Sequence, residues 1–174
     1  MIGLFGKIPR NGDFIRRRLP DTFVGPWDDW LQVSMATARD EFGPEFVEFF
    51  NLASIWFYRL PDGSCGPTAA AGALLPSRDS VGRLFPLTIV KLLPNGIRAP
   101  DRSWYHAIED ATRSALERNL GADHLLDELD AADVACTGND REAPEGWWTP
   151  AGRELRVSGL PPASRFSYLL GEDA

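Results

Sequence analysis

Two short stretches of this chain concentrate residues able to do chemistry. GKIPRNGDFIRRR, Gly6 to Arg18, sets Lys7, Asp13, Arg16, Arg17 and Arg18 among turn-forming residues. LLPSRDSVGRLFPLTIV, Leu74 to Val90, carries Ser77, Arg78, Asp79, Ser80 and Arg83 in a polar turn between two apolar runs. One use of such groups is a small hydrolase or phosphate-handling site joining Lys7, Asp13, Ser77, Asp79 and Arg83. That use requires a concave, water-accessible pocket and a carboxyl with a displaced pKa. Another is a docking surface for a protein, which requires an apolar patch with a charged rim. A third is a phosphopeptide clamp built on Arg16 to Arg18, whose binding would weaken sharply with salt. The plain alternative for that triplet is a solvated charged surface.

The familiar catalytic patterns fail when tested one by one. A P-loop needs GxxxxGK followed by Ser or Thr, so that amides wrap the phosphates and a hydroxyl holds magnesium. Gly3-Leu4-Phe5-Gly6-Lys7 is too tight, and Ile8 stands where the hydroxyl belongs. His106 and Glu109 could share a helix face, but a zincin helix needs HExxH, and His124 is isolated in an acidic segment. No serine occupies GxSxG, and Cys65 sits between Ser64 and Gly66 with no neighbouring histidine. No metal site, cofactor or catalytic residue is assigned from these patterns.

Within the second stretch, Asp79 is placed to accept hydrogen bonds from nearby backbone amides, and Gly82 to supply a positive φ. Arg83 is a natural ion-pair partner for Asp79. A loop that only satisfies its own polar groups is an equal reading of these residues.

The elements that must hold these stretches follow from periodicity and punctuation. Ile2 to Ile8 reads as a buried first strand ended by Pro9, and Asn11-Gly12-Asp13 as a turn. A helix is expected from Pro26, a favourable first helical residue, to about Phe42, with Trp27, Trp30, Leu31 and Ala38 near one face. Glu45 to Phe50 reads as a short helix after Gly43-Pro44. Ile55 to Leu60, Thr68 to Leu75 and Leu84 to Leu93 read as three successive strands, with Pro86 near the start of the third, where a lost donor is tolerated. Strands without intervening helices imply antiparallel pairing.

Asp101 or Ser103 is placed to cap a long helix carrying Trp104, Ile108, Ala111 and Ala115 on one face, with Gly121 as its stop. Asp123 opens another helix, Gly138 to Pro144 is a polar loop, and Trp147 to Thr149 and Leu155 to Ser158 are short strands. Pro161-Pro162 introduces a last helix through Leu170. The expected architecture is a single α/β domain over residues 1–174. It has a mixed, largely antiparallel central sheet with helices packed on its faces, like a three-layer sandwich.

Bulk properties narrow the function classes. The 174 residues are 44% apolar and 25% charged, with a net charge of −7, which argues against general nucleic-acid binding. Between Lys7 and Arg18 there are nevertheless five basic residues and one acid, a small cationic patch on an acidic body. Two cysteines in no CxxC, no signal-peptide core and no apolar run of membrane-spanning length lead to the expectation of a reduced, cytoplasmic, soluble protein. The six tryptophans fall at core spacing, but Trp147 and Trp148 on a strand would face opposite ways. One of that pair, with Trp148 as the candidate, is expected at the surface as an interface anchor.

Three stretches together resemble the TagF/ImpM family of type VI secretion-associated proteins. They are GLFGKIPRNGDF at the N-terminus, PWDDWLQ at Pro26 to Gln32, and LLPSRDSVGRLFPLT at Leu74 to Thr88; SIWFYRL and the late WW pair are weaker echoes. The resemblance rests chiefly on residues 1–90. Ala53 and Arg78 depart from the pattern, where a Ser-Pro-like lead and an apolar residue are expected. The resemblance implies a non-enzymatic, cytoplasmic, post-translational repressor of the type VI secretion system. Such a protein would bind a protein partner, the forkhead-associated (Fha) scaffold, alongside a kinase and phosphatase pathway, and any phosphatase is expected to be a separate chain. It also gives Gly6, Pro9, Gly12, Trp27, Trp30, Trp56, Gly82 and Pro86 the role of structural motif. Lys7, Asp13, Arg16, Arg17, Ser77, Asp79, Arg83 and Trp148 are left as the candidate partner-binding residues.

Overall fold

Alternation along the strands dictates the layering. Successive residues of a strand face opposite sides, and here both sides are apolar: Phe57 and Tyr58, Ile89 and Val90, Trp147 and Trp148 divide neighbour by neighbour between two separate cores. A sheet with two apolar faces must be covered on both. The computed structural model describes residues 1–136 and 141–171 and contains that arrangement.

Its seven strands are β1 (Ile2–Gly6), β2 (Ile15–Arg17), β3 (Trp56–Leu60), β4 (Ala69–Leu75), β5 (Leu87–Leu93), β6 (Gly146–Trp148) and β7 (Glu154–Leu155). They lie in the order β2-β1-β5-β4-β3-β6-β7. Helices α1 (Asp21–Phe42), α2 (Phe46–Leu52) and α5 (Phe166–Leu170) contribute to one core, and α3 (Arg102–Glu117) and α4 (Ala122–Ala135) to the other. The three-layer α/β architecture expected from the sequence is therefore present. Its sheet is simpler than the mixed one anticipated, since every neighbouring pair of described strands runs antiparallel.

Several boundaries differ for identifiable reasons. α1 begins at Asp21, so Pro26 lies inside it rather than at its first position. Proline at that point removes the N–H that would bond the Thr22 carbonyl. That carbonyl faces Gly66 instead, where a Cβ would come within 2.4 Å of it. Asp101 caps α3 by accepting from the Trp104 N–H, but the helix stops before Gly121, through Asn119 at φ 52°. Gly121 is the N-cap of α4. The strand expected from Leu84 begins at Leu87, and Leu84 forms an isolated bridge with Arg78. β2 is a three-residue edge strand with no local signature. The loop expected from Gly138 to Pro144 lies partly outside the described residues.

The tryptophans act as pins. Trp27 donates its indole N–H to Thr88 Oγ1 at 2.9 Å, tying α1 to the middle of the sheet. Trp30, Trp56 and Trp147 donate to the backbone carbonyls of Pro161, Leu169 and Gly159 at 2.7, 2.9 and 2.9 Å, fastening the C-terminal segment over the sheet. Trp147 and Trp148 do face opposite sides, yet they are only 1% and 4% exposed. The expectation of an exposed Trp148 anchor is thus corrected: β6 lies between β3 and β7, and both its faces are covered.

Candidate functional site

The two polar stretches meet at one end of the sheet. β1 leaves the sheet at Gly6, and Gly6 pairs with Leu87 at the start of β5, directly after the second stretch. Gly6 must be glycine: its φ is +121°, and a Cβ there would sit 2.0 Å from the Pro86 carbonyl oxygen. Pro9 then turns the chain, with Asn11 N–H bonding the Ile8 carbonyl at 3.0 Å.

The second stretch closes on itself as a small hairpin. Phe85 N–H donates to the Ser77 carbonyl at 3.1 Å, Asp79 N–H to the Arg83 carbonyl at 3.2 Å, and Gly82, at φ +86°, to the Asp79 carbonyl at 3.0 Å. Two bonds then join hairpin to first loop: Ser80 N–H to the Asn11 carbonyl at 3.0 Å, and Arg83 Nη2 to the Gly12 carbonyl at 2.7 Å.

Asp79 is the centre of the corner and is buried. Its Oδ1 accepts from the Val81 and Arg83 N–H groups at 3.1 and 2.9 Å. Its Oδ2 accepts from Arg83 Nε at 2.7 Å and Lys7 Nζ at 3.0 Å. Burial by itself would raise this carboxyl, but the Arg83 amide, the Lys7 ammonium, the Arg83 guanidinium and the Val81 amide together hold it well below the usual carboxylate range. Four donors fill the roughly four lone-pair positions of a carboxylate, so no acceptor site remains for a substrate proton. Lys7 is equally committed, with its ammonium within 3.4 Å of the Arg83 carbonyl and 5.0 Å from the Phe14 ring centroid.

Around this staple lies an apolar patch that sequence reasoning missed. Phe14, 52% exposed, packs edge-on against Phe85 with centroids 4.7 Å apart and stacks on Phe5 at 6.2 Å. A hollow of about 610 Å³ opens beside them, bounded by Met35, Asp28, Gln32 and Arg39 of α1. Val81, at the hairpin tip, is 72% exposed. Phe14 directly precedes β2, which has no local signature, so its exposure had no signal in the sequence.

The structure therefore brings Lys7, Asp13, Asp79 and Arg83 together, with Asp13 Oδ1 3.9 Å from Arg83 Nη2 on the outer rim. Ser77 lies in the same corner, and its Oγ and Asn11 Oδ1 are buried with no hydrogen-bond partner among the described residues. Arg16 and Arg17 do not point their charges into this cluster. Arg16 bonds the Leu19 carbonyl and Asp21, Arg17 pairs with Asp123 at 2.8 Å, and Arg18 pairs with Asp130 at 2.6 Å. Trp148 lies on β6, at the other side of the sheet. Among the described residues no group of His, Cys, Asp and Glu is placed to hold a metal ion, and no helix is long and apolar enough to cross a membrane.

Comparison with known proteins bears on the chain that carries this corner. Residues 3–132 match the model of a family described as the TagF N-terminal domain, type VI secretion system-associated. The crystal structure of PA0076 from Pseudomonas aeruginosa PAO1 is similar over 100% of this chain and 96% of that one, with a TM-score of 0.82 and 27% sequence identity. Comparison with the curated proteins gave no match.

Proposed function

The chain belongs to the TagF N-terminal domain family of type VI secretion-associated proteins, and from that membership we propose that it is a non-enzymatic, cytoplasmic repressor that acts post-translationally by binding a protein partner, the Fha scaffold. The observation that supports a docking role is the corner itself. Lys7 and Asp79 are spent on joining the two loops, and the loops present Phe14 and Val81 outward beside a charged rim of exposed Asp13 and Arg83. An exposed aromatic over a hollow, with a charged rim and a preorganised backbone, is the anatomy of an interface hot spot.

The test uses the purified chain and purified Fha scaffold in a calorimetric titration, with Val81→Glu and Phe14→Ser as variants whose folding is checked by circular dichroism. Hot-spot residues carry about 2 kcal/mol or more, so each variant is expected to weaken binding about 30-fold. Equal affinity in folded variants would move the docking surface elsewhere. Absence of binding by the wild-type chain would remove the scaffold as partner.

A further inference from the structure

The other end of the sheet holds a cleft whose chemistry the docking corner does not use. Arg59 is the fourth residue of β3, near Leu60, which pairs with Ala70 at the start of β4; the docking hairpin lies beyond the far end of β4. Around Arg59 gather Arg98, Arg102 and Arg141, with Ser103 and Glu142, lining a cleft of about 980 Å³. Four arginines and one carboxylate line the same wall of a chain whose net charge is −7. Such a local reversal concentrates anions from solution.

Four features make the cleft a receptor rather than a scatter of surface charge. Arg59 is partly buried and fixed, donating Nη1 to the Ala143 carbonyl at 2.6 Å while Nη2 lies 3.0 Å from Glu142 Oε2. Arg102 is the first residue of the 16-residue helix α3 and lies over the Trp148 ring, 5.6 Å from its centroid, a cation–π contact that holds its guanidinium at the cleft wall. Glu142 already shows what the cradle accepts, with Oε2 against Arg59 and Oε1 3.7 Å from Arg98 Nε: one oxyanion shared by two guanidinium groups. All four cations are arginine, whose planar forks match oxyanions in pairs, rather than lysine.

We propose that this cleft binds a compact phosphoryl polyanion, the di- or triphosphate group of a small molecule, in competition with the Glu142 carboxylate. Recognition is of the phosphoryl groups alone. The described lining has no exposed aromatic face on which a nucleobase could stack, because Trp148 is buried beneath Arg102.

The intact chain is titrated calorimetrically with inorganic tripolyphosphate in 50 mM and 300 mM salt, with ATP in a parallel arm. The expected result is saturable one-to-one binding that weakens with salt. Arg102→Ser and Arg141→Ser, both at exposed positions, are expected to lose about tenfold or more each, the scale of a charge-assisted hydrogen bond. Glu142→Gln is expected to tighten binding several-fold, and Arg113→Ser, on α3 but outside the cleft, to leave it unchanged. Absence of saturable binding at the lower salt, or equal affinity in the two arginine variants, overturns the site. ATP binding more than about tenfold tighter than tripolyphosphate overturns the phosphoryl-only assignment. These outcomes are independent of the Fha titration, since no residue is shared between the two surfaces.

Discussion

Replacing Trp56 by Phe tests whether the indoles hold the C-terminal segment. Trp56 is 1% exposed on β3, and its N–H donates 2.9 Å to the Leu169 carbonyl near the end of α5. A helix's last carbonyls have no intrahelical partner, so the indole supplies what the helix cannot. Phenylalanine keeps the ring but removes the donor, leaving a buried carbonyl unpaired at a cost of about 1–3 kcal/mol. The smaller ring also forgoes roughly 40 Å² of buried apolar surface, about 1 kcal/mol. The loss is therefore about 2–4 kcal/mol, or a Tm lowered by roughly 5–15 °C in a domain of this size.

Urea and thermal unfolding followed by far-UV circular dichroism measures the loss, and amide exchange locates it. Protection should fall first over residues 157–171, where Trp30, Trp147 and Arg153 also bond backbone carbonyls. A double variant with Trp147→Phe should cost less than the sum of the singles if the segment releases as a unit. A Trp56→Phe change below about 0.5 kcal/mol, with exchange over residues 157–171 unaltered, would refute the reasoning, because even the smallest net value for a hydrogen bond of this kind is of that order.

Two further outcomes follow from titration. The folded Asp79 carboxyl ionises more readily than an unfolded one, so its stabilising contribution is complete above the ordinary value of 3.8 and is lost as pH falls below it. Asp79→Asn should thus be less stable than wild type at pH 7, with the difference in urea midpoint narrowing from pH 4 to pH 2.5; a constant difference would show that ionisation is not the cause. Burial pushes the Cys65 thiol up to about 12, and its Sγ lies 3.5 Å from the Phe23 carbonyl, whereas Cys136 is only partly buried. Iodoacetamide at pH 8.5 should therefore alkylate Cys136 and spare Cys65 until the chain unfolds, and mass spectrometry showing Cys65 modified first would contradict the packing around it.

Local rules settled much of this protein from sequence alone. A helix cap at Asp101 or Ser103, Gly82 as a positive-φ position and the antiparallel block from β3 to β5 each depend on a few neighbouring residues, and the structure chose Asp101 for the cap. The three motif stretches likewise pointed to the family that residues 3–132 match. What needed the tertiary structure was pairing between distant segments. β2 exists because Ile15 finds Gly6 across a loop, not because three residues prefer a strand. Trp148 is buried because β7 and α3 reach it, and a dipeptide on a strand does not reveal whether both faces will be covered. Lys7 is a structural cation rather than a projecting one because Asp79 arrives from the hairpin between β4 and β5. Arg16 and Arg17 read as a free basic patch until α1 and α4 brought Asp21 and Asp123 to them. Arg59, Arg98, Arg102 and Arg141 carry no common motif, because a cleft is assembled from the ends of separate elements, and charge is long-ranged in space but leaves no periodicity along the chain.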